Sequence, residues 1–176
     1  MLRDPNAQEL TQLKRSFNRW GIFIFMEAQK LLIKQDSIVN EREVLLTTKT
    51  SLDALRLGTL QPKHMGLAIG AIRNKKFIPS LPGAEVITKH STGFPYIVIN
   101  EVAEALVLYG RDVLGDSVLE ASKKLDQNKI AIILNQKREC VGIGRTRVSE
   151  GNLFKKGEAT VHTLVDAGIY LRNQSD

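Results

Sequence analysis

The sequence predicts an α+β fold in two parts, a small α/β module over residues 1–92 followed by a compact strand-rich barrel over residues 93–176. Three observations carry this. Apolar residues at helical spacing open the chain and give way to apolar segments of strand length. The pattern restarts after the loop from Lys89 to Pro95, where HSTGFP gathers turn-forming residues, and this places the boundary near Thr92. Beyond it, one short helix leads into alternating strands with basic residues at their turns.

Taken in order, Leu10, Leu13, Phe17 and Trp20 repeat at helical spacing and predict an amphipathic helix over Asn6 to Trp20, behind Pro5. The apolar segments Ile22 to Met26, Lys30 to Lys34 and Glu43 to Thr48 predict sheet strands, the last two parted by the polar turn around Asp36 to Arg42. Thr50 or Ser51 can cap a short helix that runs through Leu57 and ends at Gly58. The segment from His64 to Arg73 predicts a strand in which Gly66 and Gly70 let another element approach closely. In the last third, Val102, Leu106 and Tyr109 share one face of a helix that stops at Gly110, with Arg111 directly after it. Ile130 to Leu134 and Cys140 to Val148 flank the polar turn Asn135 to Arg138 as a hairpin. Thr160 to Val165 and Gly168 to Arg172 predict two further strands.

The 176 residues can bury one substantial core or two small ones. A net charge of +6 and a pI near 9.5 favour an anionic partner, and nucleic acid is the commonest for a basic domain of this kind. The single cysteine, Cys140, excludes an internal disulfide, reads as a small buried apolar residue and fits a reducing cytosol. No apolar run reaches the roughly 18 residues of a membrane span, and MLRDPNAQEL lacks the apolar core of a signal peptide.

Catalytic chemistry finds little support. His64, His90 and His162 are far apart, without a second ligand type at metal-binding spacing, and read as structural or exposed. Gly142 to Gly144 is followed by Arg145 and a strand pattern, so it is no dinucleotide loop, and a P-loop motif is missing. These glycines instead admit a neighbouring backbone. Glu101 with Glu104, and Asp112 with Asp116, read as helix solvation and capping. What remains are basic residues at turns and strand ends: Arg73, Lys75 and Lys76; Lys137 and Arg138; Arg145 and Arg147; Lys155 and Lys156. Arg145 and Arg147, two apart on a strand, project from one face with Thr146 and Val148 opposite. Beside a loop carrying Lys155 and Lys156 they form a concentrated positive patch suited to phosphates. Aromatic residues are only 6% of the chain, which points to backbone contacts rather than extensive base stacking.

At these residues the chain meets a known pattern. AEALVLYGRDVLGDSV, then KIAIIL, the turn, CVGIG and VDAGIYLR resemble a PUA domain, the pseudo-β-barrel named for pseudouridine synthases and archaeosine transglycosylases. More narrowly, Leu108, Tyr109 and Gly110 as helix stop and the stretch MGLAIGAIRNKKF resemble the archaeal-like branch of the nuclear-import-seven family of large-ribosomal-subunit biogenesis factors. The resemblance covers about residues 40 to 173. It implies an α/β module before a PUA domain, no cofactor, no catalytic site, and RNA binding with some preference for uridine-rich sequence through Arg145, Arg147, Lys155 and Lys156, with Arg111 a further candidate. The implied partners are pre-rRNA or rRNA and ribosome assembly proteins, with no membrane and no DNA, in the cytoplasm. Rival readings are a PUA-containing translation initiation or recycling factor of the small subunit, a PUA accessory subunit of a pseudouridine synthase or transglycosylase, and a structural module with incidental charge. LYGRDV argues against the first rival, and some 90 upstream residues are too few to hold the catalytic domain that the second requires.

Overall fold

The structure, a computed structural model, describes residues 2–35, 41–57, 62, 65–91 and 93–172. The chain divides into two compact units, Met1–Ser91 and Thr92–Asp176. Each combines helices with one sheet, as the predicted α+β class requires.

Among the described residues, the first unit contains β1 (Leu2–Arg3), α1 (Ala7–Arg19), α2 (Phe23–Glu27), β2 (Lys30–Gln35), β3 (Arg42–Thr47), α3 (Lys49–Arg56), β4 (Leu67–Arg73), β5 (Lys76–Pro79) and α4 (Leu81–His90). The strands form an antiparallel sheet in chain order from β1 to β5. Helix α1 starts at an Asn6 capping box: the Asn6 side chain accepts from Glu9 N–H, and Glu9 accepts from Asn6 N–H, both at 2.9 Å. Its Leu13 and Phe17 are buried, and Phe17 meets Phe77 of β5 edge to face at 5.3 Å. The Phe77 N–H donates to Ser16 Oγ at 3.2 Å. Leu52 of α3 packs with Leu32 and Leu45 in a separate cluster.

Two local expectations change here. Residues 22–26 are not a strand: Met26 N–H donates to Ile22 O at 2.9 Å, and Ile22 and Met26 are buried while Ile24 is 85% exposed. A five-residue apolar run is compatible with either period, and only the burial of positions four apart selects the helix. Helix α3 begins earlier than expected, capped by Thr48, whose Oγ1 accepts from Ser51 N–H at 3.2 Å. Gly58, His64 and Thr92 lie outside the described residues. Gly66 and Gly70 do admit close neighbours: a side chain at Gly66 would meet Leu46 O at 2.2 Å, and one at Gly70 would meet Ile78 O at 2.3 Å.

The second unit contains β6 (Tyr96–Ile99), α5 (Glu101–Val107), β7 (Val113–Leu114), β8 (Val118–Ala121), β9 (Ile130–Leu134), β10 (Cys140–Thr146), β11 (Ala159–Asp166) and α6 (Ile169–Arg172). Its sheet order is β7-β11-β10-β9-β6-β8, antiparallel throughout except where β6 runs parallel to β9. Ile97, Ile99, Val107, Ile133, Val141, Leu153 and Val161 fill the core. The expected hairpin forms as β9 and β10, and Asn135 closes it, its buried Oδ1 accepting from Lys137 and Glu139 N–H at 3.0 and 2.9 Å. Gly110 stops the chain after α5 with φ +76°. Where Gly168 to Arg172 were expected as a strand, a turn at Gly168 leads into helix over Ile169–Arg172. Gly168 presses against Leu108 O so closely that a side chain there would come within 1.9 Å, and the Arg172 side chain reaches back to Leu108 O and Asp166. Cys140 is partly exposed rather than buried, because it opens β10 at the hairpin end.

In the first unit, Glu9 is fully buried and sits between two cations, Arg3 of β1 at 2.7 Å and Arg42 of β3 at 3.4 Å. The Arg3 hydrogen bonds, working against burial and joined by Asn6 N–H and Arg42, hold the Glu9 carboxyl down to about 2. Because the folded value lies below the usual one, the stabilisation is complete above about pH 4.5 and fades as pH falls toward 2. Glu9→Gln should lower the stability of this unit by about 3 kcal/mol near neutral pH. It should also remove the corresponding loss in acid, read as a urea midpoint by the fluorescence of Trp20, the single tryptophan.

Candidate nucleic-acid interface

The predicted patch is built around the C-terminal end of β10. Thr146 is buried and points inward, while Arg145 and Arg147 on either side are exposed, so the alternation holds although the strand itself ends at Thr146. Thr146 fixes the facing loop: its Oγ1 donates to Asp126 O at 2.5 Å and accepts from Lys129 N–H at 2.9 Å. Its own backbone O accepts from Asn128 N–H at 2.9 Å, and Gln127 Nε2 donates to Arg147 O at 2.7 Å.

Asp112 organises the other side of the patch, a role that its reading as a capping residue missed. Its Oδ2 lies 2.7 Å from Arg147, while its Oδ1 lies 2.8 Å from His162 Nδ1 and accepts from Thr163 N–H at 3.1 Å. Arg147 also lies 3.4 Å from His162 Nδ1. Burial pushes the Asp112 carboxyl up, but the hydrogen bonds from His162 and Thr163 and the charge of Arg147 outweigh it and hold the group below its ordinary range. Thr163 Oγ1 donates to Arg111 O at 2.8 Å, which pins the backbone just past the Gly110 stop. The register places Arg145 opposite His162. Arg147, Asp112 and His162 therefore form one group drawn from three separate segments, with Arg145 opposite His162 in register and Arg111 next to Asp112 in the chain. His162 shows itself only through this partner, since a lone histidine on an alternating strand carries no signal of its own.

The other basic residues stand differently. Lys155 pairs with Glu158 and belongs to a segment packed on Gly115, where a side chain would meet Lys155 O at 2.2 Å. No hydrogen bond or ion pair among the described residues joins Lys155 or Lys156 to the arginine group. Arg138 is committed elsewhere: it donates to Glu120 at 2.6 Å and lies over the Tyr96 ring at 5.3 Å, while Tyr96 Oη donates to the same carboxylate at 2.5 Å. Arg145, Arg111 and Lys156 carry no ion pair among the described residues. Within the GIG segment, a side chain at Gly142 would meet Val165 O at 2.8 Å, and one at Gly144 would strike Val161 Cγ1 at 2.5 Å, as the close approach of β11 demands. Among the described residues, no group of three or more His, Cys, Asp or Glu could hold a metal ion, and no helix is long and apolar enough to cross a membrane.

Strand order, the helix stop against β11 and the arginine-bearing β10 together define a PUA domain, an RNA-binding fold, preceded by an α/β unit. A family model described as the UPF0113 PUA domain matches residues 95–175. A UPF0113 protein of Archaeoglobus fulgidus is 32% identical over 174 residues, covering 98% of this chain and 95% of that one. The chain belongs to the UPF0113 family. Among solved structures, a hypothetical protein of Pyrococcus horikoshii matches with a TM-score of 0.71 at 10% identity over 100% of both chains. A conserved PUA domain protein of Thermoplasma acidophilum matches with a TM-score of 0.66 at 12% identity over 99% of both. At these identities the two structures speak to the fold alone.

Thr146→Val keeps the shape of the side chain but strips the hydroxyl from a buried site. The loss of its partners should cost about 1–3 kcal/mol. Hydrogen exchange at the Lys129 amide should accelerate while the β9–β10 amides stay protected. Unchanged protection of Lys129 would show that the loop is held by other contacts.

Proposed function

We propose that this protein is a non-enzymatic RNA-binding factor of the cytoplasm that acts in maturation of the large ribosomal subunit. The resemblance to the nuclear-import-seven factors supports the biological assignment. The observation that carries the chemical one is the exposed pair Arg145 and Arg147 on one side of β10, next to the Gly110 stop and Arg111. Its ligand is single-stranded pre-rRNA or rRNA, held through phosphates. Lys155 and Lys156 extend the contact from the neighbouring segment. Ribosome assembly proteins dock on the N-terminal unit. An open cleft of about 630 Å³ between α1, α2, β2 and α3 supports that role, its floor formed by Leu13, Phe17, Phe23, Met26 and Leu52.

Two measurements test this reading. Arg145→Ala with Arg147→Ala should leave the fold intact and reduce the salt slope of single-stranded RNA binding by about 0.7 for each phosphate left without its cation. Lys137→Ala with Arg138→Ala should cost less, because Arg138 already serves Glu120 and Tyr96. A larger loss from the second pair would move the site to the opposite hairpin end. In a salt-controlled gradient the protein should sediment with large-subunit precursors, and association with small-subunit particles instead would overturn the biological assignment.

A further inference from the structure

Residues 92–176 carry eleven Lys and Arg against eleven Asp and Glu, whereas residues 1–91 carry fourteen against eight. The excess of +6 therefore belongs to the N-terminal half, and the PUA unit has no net charge with which to attract an anion. Its attraction for phosphate must be local. One added proton at the arginine pair then matters, and His162 is the single histidine of this unit.

The sheet puts His162 on the face that carries both arginines. Arg145 of β10 is the register partner of His162 of β11, and directly opposed residues of an antiparallel pair project from the same face, with Cβ atoms about 5 Å apart. The next pair, Thr146 with Val161, is buried on the other face, as alternation requires. Arg147 returns to the outer face, its N–H donating to Thr160 O at 2.8 Å, and its guanidinium lies 3.4 Å from His162 Nδ1. The ring is held from one side only. Asp112 Oδ1, itself anchored by Thr163 N–H, meets Nδ1 at 2.8 Å. A carboxylate only accepts, so this contact places a proton on Nδ1 and leaves Nε2, on the far side of the ring, without a partner among the described residues. The side chain is 49% exposed.

Protonation decides what Nε2 does. In the neutral ring it is an acceptor, which a phosphate oxygen has no hydrogen to satisfy, and Asp112 offsets the charge of one of the two arginines. In the protonated ring it is a donor, and two arginines, one carboxylate and one imidazolium change from a net +1 to a net +2. The groups facing the ring pull in opposite directions. The Asp112 carboxylate favours the charged form, while Arg147, Arg145 in register and Arg111 next to Asp112 in the chain oppose it. On the other side of β11, β7 brings only Val113 and Leu114, and the turn Gly115–Ser117 after it brings Asp116. A phosphate seated beside Arg145 adds an anion to this balance and tips it toward the charged ring.

We propose that His162 is a third, proton-linked contact for the RNA backbone: held by Asp112, its protonated ring donates from Nε2 to a phosphate oxygen beside Arg145 and Arg147, so that the protein takes up a proton as it binds RNA. This rests on the RNA-binding reading above. Affinity for RNA therefore rises as pH falls.

The test uses the full chain and an oligouridine of about twenty nucleotides, whose bases keep their charge between about pH 5.5 and about pH 8, with anisotropy followed at constant ionic strength. The unaltered protein should bind roughly three- to tenfold more tightly at the acid end, with a salt slope larger there by about 0.7 for one added phosphate contact. Calorimetry in two buffers of unlike ionisation heat should show uptake of part of a proton near neutral pH. His162→Gln keeps an N–H for Asp112 but takes no charge. Its affinity should match that of the unaltered protein at the alkaline end, stay there across the pH series, and come without proton uptake. His162→Lys, with a fixed charge at the same place, should also bind independently of pH. His90→Gln, in the other unit where His90 stacks on Phe25 at 3.9 Å, should keep the full pH dependence. The urea midpoint of each variant checks folding, and should His162→Gln not fold, His162→Lys carries the comparison. Proton uptake that persists without the imidazole, RNA binding by the unaltered protein that ignores pH, or pH dependence lost in His90→Gln overturns the proposal and leaves the RNA reading standing. So does loss of binding by a folded His162→Gln at the alkaline end, where the proton is not engaged. Failure of the unaltered protein to bind RNA at any pH or salt removes both.

Discussion

A carboxylate taken out of water must be matched by cations or N–H donors, and this constraint organises both units of the protein. Glu9 is the sharper case. It is fully buried, and its two oxygens receive Arg3, Arg42 and the N–H of Asn6, so that one side chain joins the start of α1 to β1 and β3. Removing Arg3 would take away both 2.7 Å hydrogen bonds and leave the buried carboxylate to Arg42 at 3.4 Å and the Asn6 N–H, and the capping box uses the same carboxylate. Asp112 repeats the logic closer to the surface. It ties the segment after the Gly110 stop to β11 through Thr163 N–H and to the end of β10 through Arg147.

The consequence for function is that the partner each basic residue finds in the fold, rather than the number of basic residues, sets where its charge is held. Arg147 is oriented by Asp112 and shares it with His162, while Arg145, one strand position before Thr146, is unpaired. Arg138 and Lys155 look equivalent to these in the sequence but are engaged with Glu120 and Glu158. In the N-terminal unit, Arg3 and Arg42 are held by Glu9, Arg56 by Asp4 and Arg73 by Glu41.

The fold class and most elements were legible because they rest on local rules. Spacing set α1, the polar turn between two apolar runs set the β9–β10 hairpin, and Gly110 marked the stop after α5. The errors fall where the local signal is degenerate. Residues 22–26 and 168–172 are short apolar runs that suit either period, and what decides them is a contact distant in sequence: burial of Ile22 and Met26 in one case, the press of Gly168 against Leu108 in the other. Helix α4, with its Ser80 cap and an early proline, went unread because its apolar stripe is weak.

For the candidate site, the sequence by itself determined that Arg145 and Arg147 share a face, since strand alternation is a property of the backbone. It also determined the charge of each half of the chain, since charge is composition. Only the tertiary structure decided that Asp112, fifty residues from His162, would meet it, that Arg138 would be spent on Glu120 and Tyr96, and that Ser16 would accept from the Phe77 N–H. Such pairings join residues tens of positions apart, and no period or local propensity encodes them. They exist because the sheets bring those segments together and because a charge near the interior must find its partner wherever the fold supplies one.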